Sequence, residues 1–190
     1  MTEASYLLLH RTGELARRVE MAVAFLNNCR LCGWDCRIAR TSEVGPCRTG
    51  LVARVATAYI HSGEERPLVA GGGSGAIFFT NCDLRCQFCQ TARWNILGQG
   101  KAASPAQLAR LMLDLQAKGA ANINLVTPTH VAAQIVQALA LAAEAGLYLP
   151  LVWNSGGYDG PEALALLDGL VDIYLPDMKY SRSEVGRRLS

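Results

Sequence analysis

The sequence predicts an α/β fold built on parallel strands, and three observations carry that prediction. Beyond residue 75, short apolar runs alternate with amphipathic segments of 10–17 residues, the pattern of strands joined by crossover helices. Several of these segments carry helix start and stop residues in the right places. All seven cysteines lie between residues 29 and 89, so metal-type chemistry sits on the N-terminal half and the regular half supports it.

The elements follow in order. Residues 14–27, "ELARRVEMAVAFLN", place Leu15, Val19, Ala22, Val23 and Leu26 on one face, which makes an amphipathic helix. It leads into "NNCRLCGWDCRIARTSEVGPCR", a polar, turn-rich stretch too irregular for a long element. A Gly- and Pro-containing stretch follows, and "HSGEERPLVAGGGSG" (61–75) ends in a glycine run that reads as flexible.

"AIFFT" (76–80) is a short buried strand. In 104–120, Ser104 is placed as N-cap, Pro105 at the first helical position and Gly119 near the end. "NINLVT" (122–127) is a strand, 130–146 an Ala-rich helix, and "LYLPLVWN" (147–154) a strand. Residues 160–170 form a helix with Pro161 at its start, 171–179 a strand, and "SRSEVGRRLS" begins another helix. Four β/α units of this kind do not close a barrel. The expectation is an open sheet or a piece of a longer protein, with a partial (β/α) barrel over 61–190 and a helix plus cysteine module over 1–60.

Bulk properties exclude several classes. Of 190 residues, 51% are hydrophobic, enough for a real core. A net charge of +2 gives no electrostatic case for nucleic acid or an anionic membrane as the main partner. No apolar run reaches the roughly 18 residues of a membrane span. The N-terminus carries its charges after its apolar run, the wrong order for a secretory signal. These features place the protein in the cytoplasm, where clustered cysteines serve metals more often than disulfides.

The central motif is "NCDLRCQFCQ" (81–90), with Cys82, Cys86 and Cys89 spaced C-x3-C-x2-C directly after a strand. Strand C-terminal ends are where parallel α/β architectures build sites. Three thiolates leave one iron of a [4Fe–4S] cube open. Zinc, which wants a fourth ligand, and unrelated packing cysteines stay open as alternatives.

This motif, with an aromatic residue (Phe88) before its last cysteine, resembles the radical S-adenosylmethionine (SAM) signature. "GSGAIFFTNCDLRCQFCQ", "NINLVTPTH", "LPLVWNSGGYD" and "VDIYLPDMKY" resemble pyruvate formate-lyase activating enzyme-like radical SAM proteins, from about Cys29 to the end. The resemblance implies a partial TIM-like barrel of parallel strands and an oxidoreductase that reductively cleaves SAM to a 5′-deoxyadenosyl radical. It implies catalytic and metal roles for Cys82, Cys86 and Cys89. It also implies an electron donor such as flavodoxin or ferredoxin, and a protein substrate for the radical. The rival expectation is a truncated, non-catalytic iron–sulfur or zinc-binding protein.

The remaining candidates follow the strand ends. Where the superfamily carries a GGE-type motif, this chain has "VTPTH". Thr127 and Thr129 are candidates there for the SAM amino group, with Thr129 also readable as a helix cap. Asn154 and Ser155 end the next strand and are candidates for SAM contacts, or a plain turn. Asp177 and Lys179 close the last strand; alternation points them the same way, toward SAM by resemblance or into a surface ion pair. The related enzymes carry an acid where this chain has Trp153, which argues against a cation site. His130 reads as structural more readily than as functional.

Cys29, Cys32, Cys36 and Cys47 read C-x2-C-x3-C-x10-C. Four thiolates complete a tetrahedral zinc or a closed [4Fe–4S] cluster, a structural or electron-relaying site. The segment also resembles the N-terminal cysteine motif of the same subgroup.

Overall fold

The structure is a computed structural model that describes residues 3–69 and 71–190. Met1 and Thr2, at the start of the segment read for targeting, and Ala70, in the stretch before the glycine run, lie outside the described residues. In chain order the elements are α1 (Ser5–Arg11), α2 (Glu14–Phe25), β1 (Ala53–His61), α3 (Arg66–Val69), β2 (Ser74–Phe79), α4 (Ala92–Asn95) and β3 (Lys101–Ala103). Then come α5 (Pro105–Ala117), β4 (Ile123–Val126), a single 3-10 turn (Thr129–Val131), α6 (Ala132–Glu144), β5 (Leu151–Ser155), α7 (Pro161–Leu167), β6 (Ile173–Pro176) and α8 (Ser183–Leu189).

The strands form one open mixed sheet in the order β3-β1-β2-β4-β5-β6. From β2 to β6 every neighbouring pair is parallel, as the β/α alternation predicts. The expectation of parallel strands throughout is corrected at one edge, where β1 runs antiparallel to both β2 and β3. Residues 49–60 carry no expected element. Interspersed alanines weaken the strand signal of Val55, Thr57, Tyr59 and Ile60, and pairing on both sides completes β1. The expected division at residue 60 lies inside β1, which is a full member of the sheet.

Local signals account for the helix boundaries. Ser104 and Gln107 form a reciprocal capping box with Pro105 in the first turn, so α5 starts where expected. The helix expected over 130–146 is α6, and the 3-10 turn takes its first residues.

Alternation along the strands sorts the sheet into two faces. Ile77, Phe79, Ile123, Leu125, Leu151 and Trp153 join the core beneath α2, α5 and α6. The intervening Phe78, Val126 and Asn154 face the other way, into a cavity. The N-terminal helices close the helical layer. Tyr6 is fully buried and donates its hydroxyl to the Leu149 carbonyl at 3.1 Å. Arg18 donates to the carbonyls of Ala165 and Leu166 at the end of α7.

Candidate functional site

The cavity has a volume of about 510 Å³ and lies at the C-terminal ends of the parallel strands. Cys82, Cys86, Phe88 and Cys89 line one side from the loop after β2. Thr127 follows β4, Asn154 and Ser155 end β5, and Asp177 and Lys179 follow β6; all five line the same cavity. Phe78, Leu84, Arg85 and Val126 complete much of the wall. Sequence reasoning did not single these four out, although the two-residue period of β2 and β4 puts Phe78 and Val126 on Asn154's face.

Thr129 stands outside this cavity. It is buried, and its hydroxyl donates to Asp159 Oδ1 at 2.6 Å. Ser155 also donates to Asp159, on Oδ2 at 2.6 Å, and Trp153 Nε1 donates to Oδ1 at 3.0 Å. Asp159 therefore gathers three donors from β5 and the turn after β4. Ser155 borders the cavity with its proton already committed. Lys179 pairs with the Asp177 carboxylate, which is mostly exposed, so the pair adds little stability. His130 is fully buried, and its Nε2–H donates to the Thr80 carbonyl at 2.9 Å. That is a packing role away from the cavity lining.

The backbone around the cysteines is unusual. Among the described residues, six non-glycine residues have positive φ, and five of them adjoin a cysteine: Asp35, Arg37, Arg48, Asn81 and Arg85. The sixth is Thr127, on the cavity wall, with φ 59°. Left-handed backbone is sterically unfavourable for residues with a Cβ, most of all for a β-branched one. It persists where surrounding structure enforces it, and it clusters at functional sites.

Among the described residues, no three His, Cys, Asp or Glu side chains close into a coordination shell. Each cavity sulfur instead has its own neighbour: Cys82 donates to Asp83 Oδ1 at 3.5 Å, Cys86 lies 3.6 Å from Ser190 Oγ, and Cys89 lies 3.7 Å from Thr91 Oγ1. Burial pushes the Cys82 thiol up to about 12, assisted by the Asp83 charge, while the backbone N–H groups of Arg85 and Leu84 pull the other way. Asp83 is itself buried, which raises its carboxyl to about 6, and its Oδ2 has no partner among the described residues. Donors aimed at sulfur favour its anionic form, the form that binds metal. Burial outweighs those donors at Cys82, so its thiol is neutral until a metal displaces the proton; by ligand type, both cysteine groups suit a thiophilic metal or cluster.

The N-terminal cysteines form a second group against the first. Cys29, Cys32 and Cys47 are buried and Cys36 is half-buried. Burial raises the Cys32 thiol to about 12; the Trp34 N–H opposes this, and the charges of Asp83, Cys47 and Cys29 add to it. The segment docks closely beside the cavity. Gly33 N–H donates to the Tyr158 carbonyl at 2.9 Å, and a Cβ on Gly33 would meet the Tyr158 ring at 2.6 Å, so a larger residue there would have to displace that ring. Trp34 meets that ring edge-on at 6.2 Å, and Cys32 bridges Asp159 through the backbone.

No family model matches the chain, and no solved structure matches it. No helix among the described residues is long and apolar enough to cross a membrane. The chain is similar to Uncharacterized protein MJ0674 of Methanocaldococcus jannaschii, with 33% identity over 184 residues, covering 91% of this chain and 52% of the relative. The chain thus spans about half the length of the curated relative it matches.

Proposed function

We propose that this chain is the core of a radical SAM enzyme whose cysteine loop holds a [4Fe–4S] cluster with one iron left for SAM. Such a cluster would supply one electron to the SAM sulfonium, cleaving its S–C5′ bond to methionine and a 5′-deoxyadenosyl radical that would take a hydrogen atom from a substrate, in our reading a protein. The six-stranded sheet then belongs to a partial TIM-like barrel, and the electron comes from a flavodoxin- or ferredoxin-class donor.

One observation carries this reading. Three cysteines after β2 share a cavity with polar residues from the ends of β4, β5 and β6. Cys82, Cys86 and Cys89 would hold three irons. The Asn154 amide and the Asp177 and Lys179 side chains supply polar contacts for an amino acid and a ribose. Ser155 holds its rim through Asp159. Phe78, Leu84 and Val126 keep the reacting side apolar and limit water, which a strongly reducing electron transfer requires. Cys29, Cys32, Cys36 and Cys47 would hold a second centre, zinc or a closed cluster.

Anaerobic reconstitution with iron and sulfide tests the reading. The expected result is a visible charge-transfer band, lost in Cys86→Ala, and release of 5′-deoxyadenosine when dithionite and SAM are added. Absence of the band rejects the cluster. A band without 5′-deoxyadenosine rejects the enzyme and leaves a non-catalytic metal-binding protein.

A further inference from the structure

Two of the N-terminal cysteines, Cys29 and Cys47, lie against a buried positive charge. Arg40 is only 3% exposed. Its Nε and Nη2 donate to Cys29 Sγ at 3.2 and 3.0 Å, Nη2 also faces Cys47 Sγ at 3.8 Å, and Nη1 donates to the His130 carbonyl at 2.6 Å. Among the described residues these are its side-chain hydrogen bonds, and no carboxylate is among them. A guanidinium is always charged, and burying it without a counter-charge is strongly unfavourable. Neutral thiols are weak acceptors and do not compensate it. Sulfurs carrying negative charge do, through charge-assisted bonds. Four thiolates around a divalent ion leave a net charge of about −2 on the sulfurs, which is what this buried cation lacks.

The placement is fixed from three sides. The Arg40 backbone N–H donates to the Leu26 carbonyl at the end of α2 at 2.7 Å, and the neighbouring strand-like pair Cys29–Ile38 holds the loop. The His130 carbonyl comes from the turn between β4 and α6. Arg40 therefore joins the cysteine segment to the sheet-and-helix body.

We propose that Arg40 is the internal cation of the N-terminal cysteine centre. It is a positioning residue whose guanidinium donates to the sulfurs of Cys29 and Cys47 and offsets the charge of a metal-bound tetrathiolate. This rests on reading Cys29, Cys32, Cys36 and Cys47 as metal ligands. Outer-shell partners of this kind typically contribute 10- to 100-fold to metal affinity.

The test is zinc competition against a chromophoric chelator at constant pH, with the intact chain and with Arg40→Met, which keeps the apolar stem and removes charge and donors. The chain should bind one zinc ion at these cysteines, and R40M should bind it about 10- to 100-fold more weakly. With cobalt in place of zinc, the sulfur-to-cobalt band of R40M should move to longer wavelength, because sulfur lone pairs lose their donors. A purely structural arginine would not move that band. If R40M does not fold, the wild-type protein loaded with cadmium-113 decides: the Arg40 Nε–H should show a scalar coupling to the metal through Cys29. No zinc binding by the wild type rejects the metal reading itself. Zinc bound with unchanged affinity and cobalt spectrum in R40M, or cadmium bound without that coupling, overturns the role of Arg40.

Discussion

Trp34 donates its indole N–H to the backbone carbonyl of Asp83 at 2.6 Å. This bond ties the N-terminal cysteine segment to the cysteine loop after β2, alongside the Asn81 amide, which donates to the Arg48 carbonyl at 3.2 Å. Trp34→Phe would keep an aromatic edge against Tyr158 and remove the donor. The expected loss is about 0.5–1.5 kcal/mol in denaturant unfolding, with faster amide exchange across 82–89. Unchanged exchange there would show that the two cysteine segments are held together by other contacts.

Thr127 has φ 59° on the cavity wall, and its N–H donates to the Asn154 carbonyl at 2.9 Å. Glycine relieves the left-handed strain of about 1–2 kcal/mol and gives back about 0.5–1 kcal/mol in unfolded-chain entropy. Thr127→Gly should therefore be more stable than wild type by about 0.5–1 kcal/mol. Calorimetry is the check, and a lower Tm would mean that the Thr side chain contributes packing the strain argument omits.

His130 should give an acid-sensitive stability. Burial chiefly, with the nearby Arg40 charge, pushes its pKa down from the ordinary 6.5 to about 4, against the opposing bond to Thr80. The fold thus favours the neutral ring. Its contribution is full above the unfolded value, is lost progressively as pH falls from 6.5 to 4, and amounts to about 3 kcal/mol. Denaturation of wild type and His130→Gln at several pH values isolates this group, since the others cancel in the difference. A difference that stays flat from pH 7 to 4 would contradict it.

Ser104→Ala removes the hydroxyl that accepts from Gln107 N–H at 3.3 Å. It should cost about 1 kcal/mol, a Tm decrease of about 2–4 °C for a chain of this size, and leave the cavity residues untouched.

The parts that were legible in the sequence are local. Ser104, Pro105 and Gly119 frame α5, and apolar runs after residue 75 mark β2, β4, β5 and β6. The convergence of Cys82, Thr127, Asn154 and Asp177 follows from placing each at a strand end. What escaped depends on pairing across the chain. β1 exists because β2 and β3 flank it. Thr129 looked like a ligand because nothing local reveals Asp159 thirty residues on. Arg40 has no signal of its own in the sequence, since its sulfur partners are set by loop geometry rather than by spacing. Thr127's backbone conformation has no signal at all in a β-branched residue.

The mixed sheet also carries an order of assembly. β1 and β2 meet as a hairpin, His61 opposite Ser74, so little chain must be closed to form them. The step from β2 to β4 closes far more, as the Ser74–Asn122 side-chain bond does across 48 residues. Closure entropy and slow non-local pairing put that step later. Pulse-labelled exchange should find β1 and β2 protected before β4 and β5. A nascent chain would then present its cysteine loop on a finished hairpin while the opposite wall is still unformed, leaving Cys82, Cys86 and Cys89 more open than in the folded cavity.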